Sequence, residues 1–116
     1  MTDPDCLFCK ILAGKVPADI VYESDTTIAF RDNNPQAPTH VLIIPRQHVS
    51  CINEIGDEHQ ALVGGLFSAA KAIAAAEGLA DDGYRVVINC NEAAGQTVFH
   101  LHLHLLGGRL FSWPPG

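Results

Sequence analysis

The period of the hydrophobic positions changes several times along the chain. Phe8 to Leu12, stopped by Ala13-Gly14 and Pro17, predicts one short helix. Ile20-Val21-Tyr22-Glu23 predicts a strand, Ser24-Asp25 a turn, and Thr27-Ile28-Ala29-Phe30 the returning strand of a hairpin. Asp32-Asn33-Asn34-Pro35 is dense in Asx and proline turn chemistry and predicts a loop. His40 to Ile44 predicts a third strand, ended by Pro45. The period then lengthens: Leu62, Leu66, Phe67, Ala70, Ile73 and Ala74 recur at helical spacing. Asp57 with Gln60 fits a capping box, and Gly78 fits a C-terminal stop. Together they predict a long amphipathic helix over Glu58 to Glu77. Tyr84 to Asn89 predicts a strand, Asn91 to Gln96 a loop, and Thr97 to Leu106 a last strand broken by Gly107-Gly108. Strands, one long helix and more strands, joined mostly by short connections, give an α+β fold with a largely antiparallel sheet.

The chain of 116 residues is the length of a single domain, residues 1–116. Its 47% hydrophobic and 17% charged residues make it globular rather than disordered. Thirteen acidic residues against seven basic ones leave a net charge of −6. That balance argues against nucleic acid or an anionic membrane as partner, because both demand a basic footprint. One small phosphate compound needs only a few local donors and stays open. The most apolar stretch, Ala61 to Ala80, is interrupted by Lys71 and Glu77, which argues against a membrane span. Met1-Thr2-Asp3-Pro4-Asp5 is acidic and lacks the features of a signal peptide. The expected location is the cytoplasm, where the four cysteines would be thiols or metal ligands.

The chemistry concentrates in His100-Leu101-His102-Leu103-His104-Leu105-Leu106. On a strand, His100, His102 and His104 share one face while Leu101, Leu103 and Leu105 face the core. Three readings compete: a solvated polar face, a three-histidine metal site, and nucleophilic catalysis by one ring oriented by its neighbours. Alternate residues lie about 6.5–7 Å apart on a strand, a line rather than a cap, which weighs against the metal site. Three rings in strict alternation weigh against the solvated face, since each neutral imidazole needs a donor and an acceptor.

The run resembles the signature of the histidine triad superfamily of nucleotide hydrolases and transferases. The resemblance extends through Phe8-Cys9-Lys10-Ile11, Ala29-Phe30-Arg31-Asp32, Pro35-Gln36-Ala37-Pro38-Thr39-His40, Ile43-Ile44-Pro45, Gly83-Tyr84-Arg85, Gly95-Gln96, Leu106-Gly107-Gly108-Arg109 and Trp113-Pro114-Pro115-Gly116. The Pro-Gln-Ala-Pro-Thr-His run and the terminal Trp-Pro-Pro-Gly resemble the histidine triad nucleotide-binding (Hint) branch, whose members act as purine nucleoside phosphoramidases. The resemblance implies a five-stranded sheet with one long and one short helix, continued across a two-fold dimer. It implies hydrolysis of the P–N bond of nucleoside 5′-phosphoramidates, releasing a purine nucleoside monophosphate and an amine, with no catalytic cofactor. His102 would be the nucleophile forming a nucleotidyl-histidine, His104 would donate to the α-phosphate region and assist the leaving group, and His100 would orient the nucleophile. His40 would be a hydrogen-bond partner behind the triad.

The same resemblance places the nucleotide. Asp32 would take the ribose hydroxyls, as a carboxylate suits a diol, although an Asx turn before Pro35 explains it equally. Asn89 would reach ribose or phosphate, or simply end a strand. Gly95, Gln96 and Thr97 would surround the α-phosphate with backbone N–H groups and a hydroxyl; Gly95 alone reads as a turn residue. Thr97 stands where many relatives have Ser, and Asn33 where Ile is frequent beside the base.

Cys6-Leu7-Phe8-Cys9 is a C-x₂-C pair, half of a four-ligand zinc set, without the strand-to-helix setting of a redox motif. The resemblance implies a structural zinc held by Cys6, Cys9, His48 and His100. Cys51 and Cys90 read as small buried hydrophobes, and His59 as a surface residue with no role. Trp113 should pack against something, and in relatives the C-terminus reaches toward the partner's active site. Two other functions remain alongside the enzyme: a nucleotide-binding regulatory module acting through a protein partner, and a zinc-dependent interaction domain.

Overall fold

The computed structural model describes residues 3–116; Met1 and Thr2, the start of the acidic run read above, lie outside the described residues. The elements are α1 (Leu7–Leu12), β1 (Ile20–Glu23), β2 (Thr27–Arg31), β3 (Thr39–Pro45), α2 (Gln60–Ala76), β4 (Tyr84–Val87) and β5 (Leu103–Gly107), with 3-10 turns at Ile52–Glu54, Asp57–His59 and Glu92–Ala94. The five strands form one sheet in the order β1-β2-β3-β5-β4, with every neighbouring pair antiparallel. β1 and β2 form the expected hairpin, whose turn is fastened by the Ser24 hydroxyl accepting from the N–H groups of Thr26 and Thr27.

The sheet is covered on both faces, and this explains why β3 is buried at every residue. One face carries Ala29, Val41, Ile43, Leu103 and Leu105, packed on Leu66, Ala69, Ala70, Ile73 and Ala74 of α2. The other carries Ile28, Phe30, Leu42 and Ile44, packed on Cys6, Phe8 and Cys9 at the start of the chain. His104 opposes Leu42 across the β3–β5 ladder, on the second face. No helix of the described residues is long and apolar enough to cross a membrane.

Several boundaries differ from expectation. The last strand is β5, five residues long, rather than Thr97 to Leu106. Pro45 has no N–H to extend the ladder, and its carbonyl accepts from the His100 ring instead (2.8 Å). The segment ahead of β5 is pinned to a loop, Leu101 N–H donating to Val49 O at 2.6 Å. The inward positions nevertheless hold: Leu101, Leu103 and Leu105 are buried. The long helix starts at Gln60, and Asp57 does not cap it. His59, expected to have no role, accepts the Gly56 N–H at Nδ1 (2.8 Å) and closes the preceding turn. Phe67, placed on the core stripe by spacing, is 47% exposed at its edge. β4 stops at Val87, short of Asn89. Cys51 is buried as expected, whereas Cys90 is only partly so. Trp113, expected to pack, is 82% exposed in the single chain.

Candidate active site

A cleft of about 880 Å³ opens between α1, the end of β2 and the histidine run. Its size suits a drug- or nucleotide-sized ligand. Leu7, Phe8, Ile11, Val16, Phe30 and Leu42 give it an apolar wall, and Asp32, Asn33, Thr97, His102 and His104 give it a polar one. The apolar wall was not assigned in the sequence. Its residues lie far apart along the chain and carry only the ordinary spacing of a core.

The two histidines of the cleft have opposite hydrogen-bonding roles, set by their neighbours. His102 Nδ1 lies 2.7 Å from the His100 carbonyl, so Nδ1–H donates and Nε2 keeps a free lone pair. Orientation of this ring is thus the work of the His100 main chain, with Phe8 edge-on to the ring at 5.1 Å. His104 is fixed the other way. Gln36 N–H donates to His40 Nδ1 (3.0 Å), leaving the His40 proton on Nε2. That Nε2–H donates to His104 Nδ1 (2.9 Å), which puts the His104 proton on its own Nε2. One ring offers a lone pair and the next a proton, with ring centres 5.0 Å apart.

Burial favours the neutral form of every ring in this group. It pushes His40 and His102 below the usual histidine range, with nearby Asp32 pulling the other way. Burial, followed by the neighbouring histidines, takes His104 down to about 4. His100 also falls to about 4, chiefly through burial.

Asp32 satisfies both of its readings. Oδ1 accepts from Asn34 N–H (2.8 Å) in an Asx turn, while Oδ2 stands 3.5 Å from His40 Nε2 and the residue lines the cleft. Asp32, His40 and His104 are close enough to suggest a cation site. The Gln36 N–H argues against it, because it leaves the proton on the His40 nitrogen that would have to bind the ion.

The Asn91–Gln96 loop is organised differently from expectation. Asn89 and Gly95 are not in the cleft wall. The N–H of Gly95 donates to Glu92 O and that of Gln96 to Asn91 O, so both are engaged within the loop. The Gln96 side chain is buried: Oε1 accepts from Asn91 N–H (2.8 Å), and Nε2 donates to Ser50 O (2.9 Å) and Val98 O (3.1 Å). Gln96 fastens the loop to the body of the protein, and Thr97 is the member that reaches the cleft.

Behind the triad, Cys6, Cys9, His48 and His100 converge. His100 Nδ1 lies 3.4 Å from Cys6 Sγ, 3.6 Å from Cys9 Sγ and 3.2 Å from His48 Nδ1, and Cys9 Sγ lies 3.4 Å from His48 Nδ1. A tetrahedral zinc about 2.0–2.3 Å from its ligands sets such atoms roughly 3.3–3.7 Å apart, so the donor set fits that ion. The tautomer fits as well, since His100 Nε2–H is spent on Pro45 O and Nδ1 is bare. Burial raises the Cys6 thiol, as a cysteine away from any cation requires.

Known proteins share the family and the fold of this chain. The HIT domain family matches residues 13–110. An uncharacterised HIT-like protein of Synechococcus elongatus is 58% identical over 112 residues, covering 97% of each chain. The purine nucleoside phosphoramidase of Escherichia coli K12 is 48% identical over 105 residues, covering 90% of this chain and 88% of that one. The crystal structure of a HIT family hydrolase from Legionella pneumophila superposes with a TM-score of 0.95 at 53% identity, covering 97% of this chain and all of that one. The triad, the cleft and the match across most of its length together establish that this chain is an enzyme belonging to the HIT domain family.

Proposed function

We propose that the protein hydrolyses the P–N bond of purine nucleoside 5′-phosphoramidates, releasing the nucleoside monophosphate and an amine. One observation carries the reading: His102 gives its Nδ1–H to the His100 carbonyl, leaving Nε2 as a neutral nucleophile in a cleft of nucleotide size. The base lies on the apolar wall, the ribose hydroxyls meet Asp32, and the α-phosphate sits between Thr97, His102 and His104. The similarity to the purine nucleoside phosphoramidase of Escherichia coli supports that substrate class.

In the first step His102 Nε2 bonds to phosphorus and the P–N bond to the amine breaks, the amine leaving with a proton taken from solvent. His104 presents its Nε2–H to the α-phosphate oxygens, where negative charge grows. In the second step water bonds to phosphorus, gives up a proton to solvent, and the P–N bond to His102 breaks. This returns a neutral imidazole and gives the monophosphate. One hard displacement becomes two easier ones. A zinc at Cys6, Cys9, His48 and His100 would brace the segment ahead of β5 and take no part in these steps. The edge of β4, unpaired among the described residues, with Phe67 and Trp113 exposed, supports a two-fold dimer in which the C-terminal segment reaches the partner's cleft. Four free cysteines support a reducing compartment such as the cytoplasm.

The deciding assay is hydrolysis of adenosine 5′-phosphoramidate by the wild type and His102→Ala, each with and without chelator. The expected result is turnover that survives chelation and falls by about 10³-fold or more in the variant. Folded wild-type protein that binds adenosine monophosphate but never turns over the substrate would overturn the enzymatic reading in favour of a nucleotide-binding module.

A further inference from the structure

We infer that Arg109, outside the cleft, is a positioning residue for His104, acting through Gln36 and His40. The inference rests on the reading of His104 as the donor to the phosphate. After β5 the chain turns at Gly108 (φ +90°), close above Pro38, where a side chain at Gly108 would come within 2.9 Å of Pro38 Cβ. This turn lays Arg109 on the 32–38 loop, and Arg109 Nε donates to the Gln36 carbonyl at 3.0 Å. Gln36 in turn gives its own N–H to His40 Nδ1 (3.0 Å), and His40 Nε2–H goes to His104 Nδ1 (2.9 Å). A chain of three hydrogen bonds thus runs from an exposed arginine to the proton position on a ring of the cleft.

Gln36 needs this outside anchor. It is exposed and follows Pro35, which has no N–H to give. Its remaining tie is its own side chain, Nε2 donating to Asn34 O (3.0 Å) within the same loop. Arg109 is itself held: its guanidinium carbon lies 4.2 Å from the Phe111 ring centre, and Nη1 donates to Leu110 O (3.0 Å). Arg85 closes on the same ring at 5.1 Å and donates to Ser112 O (3.1 Å), so the C-terminal segment stays in place. Without Arg109 the Gln36 N–H is free to leave His40 Nδ1. Part of the population can then carry the His40 proton on Nδ1, against the pull of Asp32 Oδ2 at 3.5 Å from Nε2, and in that part His104 donates from Nδ1 to the bare His40 Nε2. That shift leaves a lone pair on His104 Nε2, repelling the phosphate it should hold.

Two readouts test this, and they separate the inference from the functional reading. Nitrogen-15 NMR of labelled protein reports which ring nitrogen of His104 carries the proton, with no substrate present. Wild type is expected to show protonated Nε2, Arg109→Ala a mixture of the two tautomers, and Arg109→Lys a partial return toward wild type. With adenosine 5′-phosphoramidate, Arg109→Ala is expected to lose about tenfold in kcat with KM little changed, the cost of a misplaced group. A folded Arg109→Ala protein with the wild-type His104 tautomer overturns the inference, whatever its activity. If Arg109→Ala does not fold, Arg109→Gln removes the charged donor while keeping bulk, and an unaltered tautomer there overturns it equally. Failure of the functional reading looks different: wild type shows the expected tautomer and no turnover.

Discussion

His40 and His104 titrate below the ordinary histidine range because burial disfavours their cations, and His104 falls to about 4. The unfolded chain therefore takes up protons at these rings at a higher pH than the folded one. Their contribution to stability is intact above pH 6.5 and is lost as the pH falls toward 4. Thermal melts should show the Tm declining across that window, and His104→Gln should flatten part of the decline. An unchanged slope in the variant would place the linkage elsewhere. Backbone strain sits at Asn91, which holds φ 68° and ψ −174°, a region that normally belongs to glycine. Asn91→Gly should stabilise the protein by about 1 kcal/mol, read from the urea midpoint. The three alternating histidines were legible at this scale because that pattern on a strand is unusual wherever it occurs, and Cys6-Cys9 was visible as half of a ligand set; His48 and His100 joined that pair only through the resemblance to the histidine triad superfamily. Gln96 and His59 were not, since a glutamine or histidine bonded to backbone leaves no mark in the sequence.

Among the elements, α2 is tied to the sheet by more than its apolar stripe. Arg31 at the end of β2 makes a two-pronged ion pair with Glu77, just past the helix, at 3.0 and 3.2 Å. The carboxylate raises the Arg31 guanidinium and is itself lowered by it, and Thr39 adds a weak bond at 3.5 Å. Arg31 is more than a third exposed, so water and salt screen the pair. Glu77→Gln should cost no more than about 1 kcal/mol, and the loss should shrink at high salt. A salt-independent loss in a double-mutant cycle with Arg31→Gln would mean that the helix end has repacked. The body of this helix was readable from its period, but its edges were not. Spacing alone cannot say that Phe67 lies just outside the stripe, or that the first turn is taken by Gly56 and His59. The short β5 follows from Pro45 on a neighbouring strand, a constraint visible only once β3 and β5 are known to be adjacent.

For the whole molecule, the single chain leaves surface that calls for a cover. Leu110 is 95% exposed, Trp113 82%, and the outer edge of β4 has no partner among the described residues. The chain is expected to run at twice its mass of 12.4 kDa in light scattering. Trp113 is the only tryptophan, so its emission should shift to the red when dilution separates the protomers. A monomeric mass at micromolar concentration would overturn the proposed dimer and with it the proposed contribution of a partner to the cleft. The α+β class and antiparallel sheet were legible from element order, whereas coverage of both sheet faces was not. The second layer is a six-residue helix and a cluster of thiols and imidazoles rather than a second amphipathic helix.

His100 binds in three directions: Nδ1 to the thiols and His48, Nε2 to Pro45, and its carbonyl to His102. Only the last of these touches the nucleophile, and it belongs to the main chain, which mutation does not remove. Over evolutionary time the two duties can therefore drift apart. A lineage that gives up the cysteine pair is free to replace the imidazole, provided that another side chain keeps the backbone in place. The middle ring has no such liberty. Within the triad, heritable variation should collect at the first position and in its sulfur neighbours, while the carbonyl it leaves behind continues to aim the nucleophile.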